Sequence, residues 1–148
     1  MAHRRPARLL PVLLAACPAA VWLVAAEAEL TRQLAPKVSF PEKAIADCTR
    51  TSLGEAIKAT ERAETLAAVP EFAGALDAAA VTAGHVDAIT RATKGLDDGQ
   101  RGELYERVAG LVDVAAVASV REFGKRLDFE VRSIQRDDGV GKLERQKR

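Results

Sequence analysis

Two apolar stripes in the C-terminal half repeat at the spacing of a helix, and they constrain the fold more than any other feature. Leu104, Val108, Leu111 and Val112 stand at i, i+4, i+7 and i+8, the pattern of one buried helix face. Phe123, Leu127, Val131 and Ile134 form a second stripe. The period-two alternation that a half-buried strand needs is almost absent. Apolar residues are 48% of the chain, aromatics only 4%, and much of the apolar content is alanine. Such a core suits closely packed helices rather than a sheet. The expected fold class is all-α, a small multi-helix domain of about six to seven helices, with Leu104, Val108 and Leu111 in its core.

Local signals place the other helices. Ser39-Phe40-Pro41-Glu42 reads as a start, with Ser39 as N-cap, Pro41 in the first turn and Glu42 closing a capping box. Phe40, Ala44 and Cys48 then share a face, and Cys48 reads as a small buried hydrophobe. Ser52-Leu53-Gly54-Glu55 repeats the box and opens a helix to about Ala68, with Leu53, Ile57, Thr60, Ala63 and Ala67 inward. Pro70 precedes a short helix from Glu71 to about Ala78. A tight break at Ala79–Val81 follows. Thr82 then caps a helix carrying Val86 and Ile89 that ends near Gly95. Asp97 or Asp98 caps the next helix, and Asp113 the last long one. Asp137-Asp138-Gly139 reads as a turn or a break, and the stretch from Val140 to Arg148 is helical in propensity.

The N-terminal segment, residues 1–37, admits several readings. His3, Arg4, Arg5 and Arg8 precede a run from Leu9 to Ala26 that carries no charge. A basic start, an apolar middle and small residues at Ala26-Glu27-Ala28 are the parts of a secretory signal. Leu14-Ala15-Ala16-Cys17 has the form of a bacterial lipobox. Pro11 and Pro18 interrupt the run, and the plainer reading is a buried alanine-rich helix or a start codon placed upstream of the true start. The expected location is cytoplasmic; the alternative is an exported or membrane-anchored small helical protein, held through the stretch from Leu9 to Ala26.

No arrangement of residues makes a catalytic site. His3 and His85 are the only histidines, and His85 lies in the first turn of a helix, where packing is its ordinary role. Cys17 and Cys48 have no CxxC spacing and no nearby histidine. Asp97–Asp98 and Asp137–Asp138 sit at helix starts and turns, as caps do. Gly139-Val140-Gly141 is too short for a phosphate loop, and no serine has a nucleophile-elbow context. No catalytic, cofactor or metal site is therefore expected. Charge is more informative. Residues 1–37 carry net +3, residues 38–124 net −5 and residues 125–148 net +3, within a chain of net +1. A basic tail on an acidic body suits weak, non-specific contact with DNA. Its candidate residues are Arg132, Arg136, Lys142, Arg145, Lys147 and Arg148. Helical spacing puts Lys142, Arg145 and Arg148 on one side, but five acids are interleaved with the tail's cations, and a solvated helix face is the competing reading. The stretch Phe72–Thr93 also has the outline of a helix-turn-helix, though its second helix offers only Arg91 and Lys94 as basic groups.

Residues 38–148 resemble domain of unknown function 222, an actinobacterial family that commonly precedes an HNH endonuclease module, as in the repeat-element proteins of mycobacteria. Three segments carry the resemblance: Pro41-Glu42-Lys43-Ala44-Ile45-Ala46-Asp47, Thr51-Ser52-Leu53-Gly54-Glu55-Ala56, and Val81-Thr82-Ala83-Gly84-His85-Val86-Asp87-Ala88-Ile89. The helix from Val114 to Leu127 and the basic run from Lys142 to Arg148 fit as well. Relatives often have glycine where this chain has Ala79, a position that suits a left-handed cap. No histidine follows His85, so the metal-binding and base histidines of an HNH module have no counterpart. The resemblance implies a non-catalytic helical domain, truncated before any nuclease module, that positions a nuclease on DNA or mediates assembly.

Overall fold

The structure, a computed structural model, describes residues 10–146, with side chains over 18–139. Among these residues it is all-helical, with eight α-helices and no strand. They are α1 (Leu10–Leu34), α2 (Pro41–Thr49), α3 (Leu53–Ala68), α4 (Pro70–Asp77), α5 (Ala83–Thr93), α6 (Asp98–Ala109), α7 (Val112–Val117) and α8 (Val120–Gln146); a 3-10 turn, Ala35–Lys37, follows α1. Among the described residues no helix is long and apolar enough to cross a membrane. Part of the stretch from Leu9 to Ala26, at its start, lies outside the described side chains.

The core gathers the inward faces of most helices. Phe72 and Leu76 of α4, Val86 and Ile89 of α5, and Leu104 and Val108 of α6 are completely or almost completely buried. Phe123, Leu127 and Ile134 of α8 close it, as their spacing requires. The Phe72 and Phe123 rings meet with centroids 5.7 Å apart, tilted by 32°. On the other side, α1 packs against α3 and α4 and brings Ala28 into the same core.

Helix α3 is the middle element, packed against α1, α2 and α5. Its buried residues are Ala56, Ala59, Thr60, Ala63, Thr65 and Leu66. Thr60 and Ala63 face inward as expected; Leu53, Ile57 and Ala67 do not, Leu53 being 55% exposed. The physical reason is proximity: a face of alanines and threonines lets α1 and α5 come close, and the larger side chains are displaced to the rim. Arg62 and Thr65 then tie α3 to α5. Arg62 donates to both carboxylate oxygens of Asp87 at 2.8 and 3.0 Å, and Thr65 and Thr90 share a 2.7 Å hydroxyl contact. The Asp87 hydrogen bonds hold the Arg62 pKa above its ordinary value.

Other local expectations are corrected. Phe40, not Ser39, is the N-cap residue of α2, and it makes no side-chain cap bond. Pro41 explains this, because proline at the first helical position fixes the start two residues after Ser39 and leaves Phe40 at the cap. Cys48 is exposed, at an apolar groove between α1 and α2 that Leu23, Leu30 and Ile45 also line; so short a helix buries only Ile45. Leu111 is half-buried rather than core, since the chain leaves helical geometry there (φ −105°, ψ 10°) to join α6 to α7. Asp113 lies inside the first turn of α7 and does not cap the long helix. Asp137, Asp138 and Gly139 continue α8 without a break.

The break after α4 is where the sequence puts it. Ala79 adopts φ +54°, the left-handed region. Its N–H donates to the Leu76 carbonyl at 3.0 Å, and the Ala80 N–H to the Ala75 carbonyl at 2.9 Å. That pair of bonds is a Schellman ending, made here with alanine at the left-handed position.

Candidate nucleic-acid interface

Helix α8 carries the candidate surface, and its start is well fixed. Ser119 and Glu122 form a reciprocal box: the Glu122 N–H donates to Ser119 Oγ at 3.2 Å, and the Ser119 N–H donates to Glu122 Oε2 at 2.9 Å. These bonds, the backbone one first, hold the Glu122 carboxyl below its ordinary pKa. Four residues of sequence from Ser119 to Glu122 contain the capping signature, so this cap was readable in place of Asp113.

His85 secures the same junction from α5. The Thr82 N–H can only donate, so His85 Nδ1 accepts it, at 3.2 Å, together with the Thr82 hydroxyl at 2.9 Å. The other ring nitrogen, Nε2, therefore carries the hydrogen and donates to the Ala118 carbonyl at 3.1 Å. The ring also packs on Phe123, centroids 5.6 Å apart. His85 is 5% exposed; its position is that of a buried strut between the hairpin and the start of α8.

The side of α8 away from Phe123, Leu127 and Ile134 faces water. Arg121, Lys125, Asp128, Arg132 and Arg136 are exposed on it, at i, i+4, i+7, i+11 and i+15, which is one side of a helix. Among the described residues Arg121, Lys125, Arg132 and Arg136 make no ion pair or side-chain hydrogen bond. Their only acidic neighbour in the stripe is Asp128. At the α5–α8 junction, Arg91 joins Arg121, Lys125 and Asp128 along a groove of about 640 Å³ floored by Ala88, Ala92, Gly124 and Leu127.

Of the other described acids of α8, Glu122 lies near enough to Lys125 to interact with its charge, and three more are engaged elsewhere. Glu130 receives Arg126 at 2.8 Å and Arg107 of α6 at 3.2 Å. Asp137 lies 3.6 Å from Arg107, and Asp138 accepts a 3.0 Å hydrogen bond from Gln100 of α6. Arg107 in turn has its pKa raised, by Glu103 first and Glu130 next. Asp97 is engaged as the α6 cap, accepting from the Gln100 N–H at 2.9 Å, and Asp98 lies 3.5 Å from Arg101. Among the described residues no group of three or more His, Cys, Asp and Glu side chains is placed to hold a metal ion.

Of the six residues expected to contact DNA, Arg132 and Arg136 lie on this stripe. Lys142 and Arg145 are in the helical backbone of α8, with side chains outside the described residues. Lys147 and Arg148 lie outside the described residues altogether. The structure adds Arg121 and Lys125, whose alignment with Arg132 the sequence already carries at helical spacing, and Arg91, which only the packing of α5 on α8 brings near. Compared with protein-family models, curated proteins and solved structures, the chain matches none.

Proposed function

We propose that the chain is a non-catalytic helical module that contacts the phosphate backbone of nucleic acid through the exposed side of α8. The observation that carries this is the row Arg121, Lys125, Arg132 and Arg136, four cations without an ion pair among the described residues, on one side of one helix.

A salt titration tests the reading. Each phosphate neutralised on a duplex contributes a slope of about −0.9 in log affinity against log salt. Four contacts give a slope near −4 (~0.9 each), with little sequence preference. Replacing both Arg132 and Arg136 by alanine should flatten that slope by about 2 (~0.9 each). These side chains are exposed, so the melting temperature should stay where it is. Absence of binding at about 50 mM salt, a regime that favours phosphate contacts, would overturn the proposal, and an unchanged slope in the double variant would remove α8 as the surface.

A further inference from the structure

The phosphate-contact reading leaves Phe129 unexplained. Aromatic residues are scarce in this chain, and Phe72 and Phe123 are spent in the core. Trp22, Phe40 and Phe129 are exposed, and of these Phe129, 56% exposed, is the one that stands on the solvent side of α8 among its cations. Its helical neighbours at −7, −4, +3 and +7 are Glu122, Lys125, Arg132 and Arg136, all exposed, and the three cations make no ion pair or side-chain hydrogen bond among the described residues. At −3, Arg126 lies over the ring, 5.4 Å from its centroid, and is itself fixed by Glu130 at 2.8 Å. Arg126 thus backs the ring and orients it, yet leaves more than half of the residue open.

An apolar ring among cations has a narrow set of partners. A lipid surface calls for a continuous apolar stripe along the helix, whereas the positions beside Phe129 are Asp128, Arg132, Gln135 and Arg136, all exposed. An unpaired nucleobase meets both demands at once: its face stacks on the aromatic ring while the phosphates on either side of it meet the cations. Lys125 to Arg136 spans about 16 Å at ~1.5 Å per residue, room for a short stretch of backbone. In a duplex the bases are already stacked on one another and offer the ring no face.

We infer that Phe129 is a stacking platform for an unpaired base, so that the preferred ligand of α8 is single-stranded nucleic acid. This rests on the phosphate-contact reading and narrows it. Two consequences separate stacking from charge. Truncating Phe129 removes no cation, so it should weaken single-strand binding without changing the salt slope. Truncating Arg132 should reduce the slope by about 0.7 on a single strand.

The experiment is fluorescence anisotropy on the full chain with labelled oligothymidylate, oligouridylate and a duplex of equal phosphate number. Expected are tighter binding of at least one single strand than of the duplex, and a loss of about 5- to 150-fold in Phe129→Ala. The slope should be unchanged, and Phe129→Trp should restore affinity. The thymidylate and uridylate arms tell DNA from RNA as the source of the base. Equal binding of strand and duplex, with Phe129→Ala indistinguishable from the parent, overturns the stacking role while leaving the cationic surface intact. Failure of every oligomer to bind at low salt overturns both. Because Phe129 is exposed and outside the core, an unchanged melting temperature in Phe129→Ala shows that any loss belongs to the ligand contact.

Discussion

Ala79→Gly should stabilise this protein, although it deletes a methyl group and adds a glycine. Ala79 sits at φ +54° in the Schellman ending of α4. An L-residue in the left-handed region carries a penalty of roughly 1–2 kcal/mol from the contact of Cβ with the following carbonyl. Glycine removes that penalty and adds about 0.4–1 kcal/mol of unfolded-chain entropy. Ala79 is exposed, so no packing is lost with its methyl. The net gain is about 0.5–1 kcal/mol, a rise of about 1–4 °C in melting temperature for a chain of this size. Two controls bracket it. Ala78 is also exposed but has φ −77°; Ala78→Gly relieves nothing and should destabilise by about 0.5–1 kcal/mol. Gly95 has φ +87°, and a Cβ there would meet nothing within 4 Å. Gly95→Ala should therefore cost about 0.5–1 kcal/mol, a strain of about 1–2 kcal/mol partly offset by the unfolded-chain entropy that alanine removes. Thermal denaturation followed by circular dichroism reads all three. If Ala79→Gly melts at or below the parent, or moves in step with Ala78→Gly, the left-handed strain is not there and the reasoning fails.

Leu104→Ala should cost about 2–5 kcal/mol, since the side chain is wholly buried, while Leu111→Ala should cost distinctly less because Leu111 is only half-buried; chemical denaturation that ranks them the other way would refute the packing. Ser119→Ala should lose about 0.5–2 kcal/mol of cap stability. The pH dependence of the same box has a definite sign: the folded Glu122 carboxyl lies below its ordinary pKa, so its stabilising contribution is complete above the ordinary carboxylate range and fades as pH falls through the lowered value. Stability curves of parent and Glu122→Gln should therefore converge on acidification, and divergence would count against the box.

The two C-terminal stripes were legible because α6 and α8 are regular helices buried on one side, where spacing alone selects the core. Leu111 departed from its stripe because spacing assumes an unbroken helix and the backbone turns at that residue. The error on α3 has a different origin. Hydropathy favours Leu53 and Ile57 over alanines, but a helix packed between neighbours turns its small side chains toward them. At Asp137-Asp138-Gly139, local preference favours a turn, and contacts from α6 decide otherwise: Gln100 engages Asp138 and Arg107 approaches Asp137, which occupies the side chains that would compete with the helix backbone. The candidate surface was half legible. Arg132 and Arg136 stood out in the basic tail, and Arg121 and Lys125 share their helical spacing. Arg91 joins the row only through the packing of α5 on α8, for which the sequence has no local signature.

The interleaving of acids and bases along α8 argued in sequence for a neutral, solvated face, and the fold changes that argument. Among the side chains described in residues 125–139, four bases and four acids are mixed in order yet largely segregated in space. Glu130, Asp137 and Asp138 point toward α6, where Arg107 and Gln100 meet them. The acids thereby serve as anchors, and Glu130 also fixes Arg126 against Phe129. Lys125, Arg132 and Arg136 are left on the open side with Arg121, opposed by Asp128 and, at Lys125, by Glu122. Anchoring and exposure are thus two results of one arrangement: pairing these acids with α6 ties α8 to the body, and the same step leaves its cations uncovered. A local field depends on which charges share a surface and how well water screens them, not on their order in the chain. Residues 125–139 carry no net charge in sum, so net charge understates the positive potential along the outer side of α8.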